Sequence, residues 1–239
     1  MILSPHVEIT ERSSILFDRS AYERFSETWF LDSYWHDRQL VIDEILGRGS
    51  VFVVRQKEEM WVLRHYRRGG FIMRFTEDAY VWTGLEQTRS FREWRLLQEL
   101  YKRHLPVPCP IAAQVIKNGV VYQANIITKY IENTRSWASM AISGEAQKTH
   151  WRNIGLTLRR FHDEGVNHSD LNAHNILIDT SNRVFLVDFD RSAIVGDGVW
   201  KKANINRLLR SLRKVSLETG AAFDESGWKE LLSGYNSGL

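Results

Sequence analysis

The sequence predicts an α+β fold in two lobes, strand-rich first and helix-rich later. Three observations carry this expectation. Residues 40–64 hold β-branched and aromatic runs broken by short turns, and one amphipathic helical stretch near 89–103 is closed off by Pro106, Pro108 and Pro110. In the second half, helical patterns near 145–164 and 203–217 flank a single short strand pair. The implied boundaries are residues 1–127 for the first lobe, 128–133 for the crossover (the hinge) and 134–239 for a reduced, helical second lobe.

The chain has 239 residues, 43% hydrophobic and 26% charged, which suits a packed protein whose core needs no cross-link. One cysteine, Cys109, excludes an intrachain disulfide and favours a reducing compartment. Residues 1–10 lack a basic segment followed by an apolar run, so no secretory leader is expected. No apolar stretch approaches the ~20 residues of a membrane span. A net charge of +3 suits an anionic partner such as phosphate, acidic sugar, lipid or nucleic acid without choosing among them. Nine tryptophans read first as aromatic core.

Within residues 14–38, Tyr22, Phe25 and Trp29 are spaced to share one helix face. Strands follow at Val41 to Leu46, Val51 to Arg55 and Met60 to Arg64, then an irregular basic and aromatic stretch over 65–88. The helix near 89–103 places Glu93 on the face of Leu96, Leu97 and Leu100, hence inward. Strands at Ile111 to Ile116 and Val120 to Tyr130 flank a turn at Lys117 to Gly119. The helix near 145–164 ends at Gly165, and the last one carries Ile205, Leu208, Leu209, Leu212 and Val215 on one face.

The most specific segment is His168-Ser-Asp-Leu-Asn-Ala-His-Asn175, followed by the strand Ile176-Leu-Ile178 and, further on, Val187-Asp-Phe-Asp190. If 176–178 and 184–187 pair antiparallel, Ile178 faces Val184 and Ile176 faces Leu186. Asn175 and Asp188 then leave the same end of the hairpin as neighbours. An amide oxygen beside a carboxylate is a hard donor set suited to Mg²⁺. Asp170, on the loop entering that end, is placed to take a proton from an attacking hydroxyl.

This arrangement resembles the catalytic apparatus of protein kinases and their small-molecule relatives, His-x-Asp-Leu-x-x-x-Asn with a later Asp-Phe-x. The resemblance implies a two-lobed protein-kinase-like fold, ATP as phosphoryl donor, Asp170 as catalytic base, Asn175 and Asp188 as metal ligands, and His168 as a structural brace. It also implies a loop over the phosphates at Gly47, Gly49 and Ser50, although Phe52 stands where such loops keep a third glycine. Arg64 occupies the place of the phosphate-binding lysine and would pair with Glu93, with Glu86 as the other candidate partner. The crossover that reads adenine falls near Thr128 and Tyr130. Ser169 and Asn172 differ from the residues common in protein kinases, no Ala-Pro-Glu follows Asp188, and the remaining chain is too short for a peptide-docking platform.

A closer resemblance lies in Leu63-Arg-His-Tyr-Arg-Arg-Gly-Gly70, Thr88-Arg-Ser-Phe-Arg-Glu93, Pro106-Val-Pro-Cys-Pro110 and His168 to Asn175. Together these look like the 3-deoxy-D-manno-octulosonic acid (Kdo) kinase family of bacterial lipopolysaccharide-core kinases, over nearly the whole chain. That resemblance implies ATP-dependent phosphorylation of the 4-hydroxyl of Kdo on a lipid A precursor, at the cytoplasmic face of the inner membrane. Another sugar or small-molecule kinase, of heptose or aminoglycoside type, is the alternative. An anionic membrane surface is an expected partner; nucleic acid and an obligate protein partner are not. Arg67, Arg68 and Arg74, among Phe71, Phe75, Tyr80 and Trp82, suit a carboxylate, phosphates and a sugar face, and equally read as a solvated basic loop. The basic side of the last helix, from Lys201 to Lys214, reads as a solvated face more readily than a lipid-binding one.

Overall fold

The computed structural model describes residues 3–11, 13–45, 51–66, 79–220 and 222–237. They form two compact units, Met1–Lys102 with Pro108–Tyr130, and Arg103–Val107 with Ile131–Leu239. Among the described residues no helix is long and apolar enough to cross a membrane.

The first unit is built on an antiparallel sheet. Its strands are β1 (Pro5–Ile9), β2 (Ser13–Asp18), β3 (Val41–Ile45), β4 (Val51–Gln56), β5 (Glu59–His65), β6 (Tyr80–Val81), β7 (Pro110–Asn118) and β8 (Val121–Lys129). They run in the order β1-β2-β7-β8-β5-β4-β3, with β6 added against β8. The strands expected between residues 41 and 64 and between 111 and 130 are present to within a residue or two. Absent from the expectation are β1 and β2, which extend the sheet beyond β7, and β6, which falls in the stretch expected to be irregular.

Tyr22, Phe25 and Trp29 do not share one helix, and only Trp29 falls within a helical turn. Their stretch is irregular, ending in a 3₁₀ turn at Glu27–Phe30 and a short α1 (Asp32–His36). They nonetheless converge, because each packs around the fully buried Trp61 of β5: Tyr22 lies 5.6 Å, Phe25 6.0 Å and Trp29 5.6 Å from it, ring centre to ring centre. Burial of one large indole, not helical period, gathers them.

On the sheet face that includes Arg64 lies α2 (Arg89–Lys102), which buries Phe91, Glu93, Trp94, Leu97 and Leu100. Cross-strand partners share a face and side chains alternate along a strand. The pairs Val62↔Thr128 and Arg64↔Ile126 therefore put Thr128 on the same face as Arg64.

The second unit holds β9 (Thr134–Ser136), α3 (Trp137–Ile142), α4 (Lys148–Asp163), β10 (Val166–Asn167), β11 (Ile176–Asp179), β12 (Val184–Leu186), β13 (Ala193–Ile194), α5 (Trp200–Thr219) and α6 (Glu225–Ser237). The α4 face of Trp151, Ile154, Leu158 and Phe161 is buried. Here α4 and α6 touch backbone to backbone. A Cβ on Gly155 would stand 2.0 Å from the Leu231 carbonyl, and one on Gly234 2.3 Å from that of Arg152. Neither α3 nor α6 was expected.

Candidate active site

The β11–β12 hairpin has the expected register, Ile176↔Leu186 and Ile178↔Val184. At its open end the Val187 amide donates to the Asn175 carbonyl at 3.0 Å, so Asn175 and Asp188 leave the hairpin side by side. Asn175 Nδ2 donates to the Asp170 carbonyl at 3.0 Å, which turns its Oδ1 away from that loop. Asp188 has a left-handed backbone, φ 63, a conformation that costs a non-glycine residue energy and recurs where a side chain must be aimed. Nothing in the residue pattern around Asp188 signals this strain.

Asp170 stands on the loop before Asn175 with its side chain 55% exposed. Asn172 holds the loop's shape. Its Oδ1 accepts from the His174 and Asn175 amides at 2.9 and 3.2 Å, and its Nδ2 donates to Asp170 Oδ2 at 3.2 Å. His168 is buried; its Nε2 donates to the Val187 carbonyl at 3.1 Å while Nδ1 accepts from the Asp170 amide at 3.3 Å. One imidazole thereby joins the loop to the strand that leads into Asp188. Burial pushes the His168 pKa down, against the pull of Asp188 and Asp170, and so favours the neutral tautomer these bonds require.

Two contacts from α5 anchor the loop. Asn204, buried, accepts from the His168 amide at 3.2 Å and donates to Asn167 Oδ1 at 3.1 Å, and Ser211 Oγ accepts from the Ala173 amide at 3.1 Å. Between those anchors Arg207 donates from Nη1 to Asp170 Oδ1 at 3.0 Å. The residue pattern marks neither Asn204 nor Arg207 as part of a site. An asparagine in a leucine-faced helix carries no local signal, and Arg207 sits among the charges of a helix side that reads as solvated.

In the first unit Arg64 pairs with Glu93, which is 3% exposed; Glu93 also accepts from the hydroxyl of buried Tyr66. Tyr66 is absent from the sequence expectation, yet it stands two residues beyond Arg64 and strand alternation puts it on the same face. Glu86, the other candidate partner, instead pairs with Arg95 at 3.0 Å on the surface. Thr128 and Tyr130 are half-buried at the end of β8, and the Tyr130 amide already donates to the Met60 carbonyl at 2.9 Å. Gly47, Gly49, Ser50, Arg67, Arg68 and Arg74 lie outside the described residues.

Among the described residues no group of three or more His, Cys, Asp or Glu is arranged to hold a metal ion by itself. The amide oxygen of Asn175 and the carboxylate of Asp188, carried by residues that leave the hairpin as neighbours, are of the hard-donor kind that would suit a divalent cation whose remaining positions are filled by water and phosphate oxygens. That is the usual mode for Mg²⁺.

A model of the lipopolysaccharide kinase (Kdo/WaaP) family matches residues 32–235. The chain is 43% identical over 215 residues to a 3-deoxy-D-manno-octulosonic acid kinase of Xylella fastidiosa (strain M12), covering 90% of this chain and 86% of that protein. It is 38% identical over 228 residues to one of Haemophilus influenzae (strain PittEE), covering 92% and 94%, respectively. To one of Xanthomonas campestris pv. campestris (strain B100) it is 41% identical over 215 residues, covering 89% and 85%.

Proposed function

From its membership of the lipopolysaccharide kinase (Kdo/WaaP) family, in which the chain is an ATP-dependent kinase, we propose that it phosphorylates the 4-hydroxyl of Kdo on a lipid A precursor. The observation that carries the reading is the open end of the β11–β12 hairpin, where Asn175, Asp188 and Asp170 meet through the bonds described above.

In this reading Asp170 orients the acceptor hydroxyl and takes its proton as the hydroxyl oxygen bonds to the γ-phosphorus and the bond to the β-phosphate oxygen breaks, releasing ADP. Asn175 and Asp188 hold Mg²⁺, which when bound offsets phosphate charge. Arg64, fixed by Glu93 and Tyr66, offers its fork to the nucleotide's phosphates. Gly47, Gly49 and Ser50 cover those phosphates, Thr128 and Tyr130 border the adenine, and residues 128–133 serve as hinge of a two-lobed kinase fold. His168 and Asn204 keep the loop in place. Arg67, Arg68 and Arg74 contact the acceptor's anionic groups. The work takes place at the cytoplasmic face of the inner membrane, where a lipid acceptor and ATP are both present.

Incubation with ATP, Mg²⁺ and a lipid A precursor carrying one Kdo tests this. The expected product gains one phosphoryl group by mass spectrometry, with phosphorus coupled to the proton on C4 by NMR. An unmodified Kdo acceptor would sink the substrate assignment; phosphate at another hydroxyl would sink the position.

A further inference from the structure

We propose that Arg207 reads the carboxylate of the acceptor, exchanging Asp170 for it when the acceptor binds. This rests on the acceptor being the sugar acid proposed above. Asn204 on one side and Ser211 on the other fasten α5 to the catalytic loop, so the Arg207 side chain starts from a fixed point beside Asp170. Other cations of the helix face elsewhere: Lys201 pairs with Asp197 at 2.9 Å, Arg213 approaches Glu225 at 3.6 Å and Lys214 approaches Glu218 at 3.6 Å.

The Arg207 and Asp170 side chains are 46% and 55% exposed. An ion pair this open contributes little to stability, so replacing one carboxylate by another is nearly neutral in energy. A guanidinium presents several N–H donors in a planar fork that fits a carboxylate in two parallel hydrogen bonds. Nη1 is the one engaged by Asp170. In an octulosonic acid the carboxylate is attached at C2, two ring carbons from C4. A C4 hydroxyl held against Asp170 therefore brings the acid group to the neighbouring guanidinium. The same movement frees Asp170 Oδ1 for the hydroxyl, so an acidic acceptor would open the site for itself while a neutral sugar would leave the pair closed.

The test compares wild type, Arg207→Gln, Arg207→Lys and, as a control on the same helix, Arg210→Gln. The acceptors are a lipid A precursor carrying one Kdo and the same compound with its sugar carboxylate reduced to an alcohol. Expected for Arg207→Gln is a rise in acceptor KM of about tenfold to a hundredfold, as for loss of a hydrogen bond between charged groups. That rise should be confined to the carboxylate acceptor, with the KM for ATP unchanged. Arg207→Lys should recover part of the loss, and Arg210→Gln should match wild type. Equal losses on both acceptors, or a fall in kcat at unchanged acceptor KM, would overturn the proposal and place the guanidinium on the moving phosphoryl group or in the loop's support. Wild type alone gives a second check that needs no variant to fold: indifference to carboxylate reduction also overturns it. Wild type inert toward both acceptors overturns the functional reading and this inference with it. Activity on both acceptors with an unselective Arg207→Gln overturns the inference alone.

Discussion

In the Arg64–Glu93 pair the carboxylate is 3% exposed and also accepts a bond from the Tyr66 hydroxyl; in the Arg207–Asp170 pair it is 55% exposed and lies in a loop held by asparagines and a histidine. The ions are the same in kind. A buried carboxylate is costly to leave without its cation, so the first pair is a fixture that sets where Arg64 points. An open one exchanges its partner for water or substrate at little cost. Burial thus separates a pair that holds the fold from a pair available to chemistry.

The largest expected effect is at the open pair. Asp170→Asn should lower phosphoryl transfer by about 10²- to 10⁴-fold, the usual contribution of the general base proposed at this position, with an unchanged thermal midpoint. A retained rate, or a variant that unfolds, would break the contrast. At the buried pair, Glu93→Ala should cost about 3 to 4 kcal/mol of unfolding free energy by removing the buried carboxylate that both Arg64 and Tyr66 bond, as read by chemical denaturation. A loss under about 1 kcal/mol would mean that water replaces the carboxylate.

Protonation asks whether burial acts alike in the second unit. Burial holds the His162 imidazole, bonded to the Tyr235 hydroxyl at 2.7 Å, down to about 4 from 6.5. Above pH 6.5 it is neutral whether folded or unfolded and contributes no pH dependence. As pH falls from 6.5 towards 4 the unfolded chain takes the proton first, so stability declines by about 3 kcal/mol through this group. Unfolding free energies measured from pH 7 to 4 should show that slope, and His162→Gln should flatten it. An unchanged slope in the variant would assign the acid sensitivity elsewhere. The smallest effect is on stability in Arg207→Gln, within about 0.5 kcal/mol of wild type by denaturation, because the pair it breaks is open to water. A larger loss would make Arg207 part of the fold.

The parts of the molecule legible in the sequence were those whose order is local. The hairpin register follows from apolar alternation across a short turn, and inward Glu93 follows from its three-to-four spacing with leucines. Other parts were set by contacts distant in sequence. Asn204 looks like a flaw in an apolar helix face until the His168 amide, 36 positions earlier, is placed against it. Helix α6 carries Gly227 and Gly234, which lower helix propensity, yet they admit Trp151 and the α4 backbone. The N-terminal aromatics converge as their spacing suggests, but from a different cause, since Trp61, not a helix, collects them.

The metal–nucleotide centre proposed for the open end of the β11–β12 hairpin is open to a direct test with a paramagnetic ion. Manganese bound with ATP in place of magnesium broadens NMR signals of nuclei close to it. Backbone amide signals of Asn175, Ile176, Val187 and Asp188 should broaden on addition of Mn²⁺ and ATP, those of β1 should stay sharp, and Asp188→Asn should restore the lost signals. Broadening that spares Asn175 and Asp188 and appears elsewhere would put the metal and nucleotide at another site.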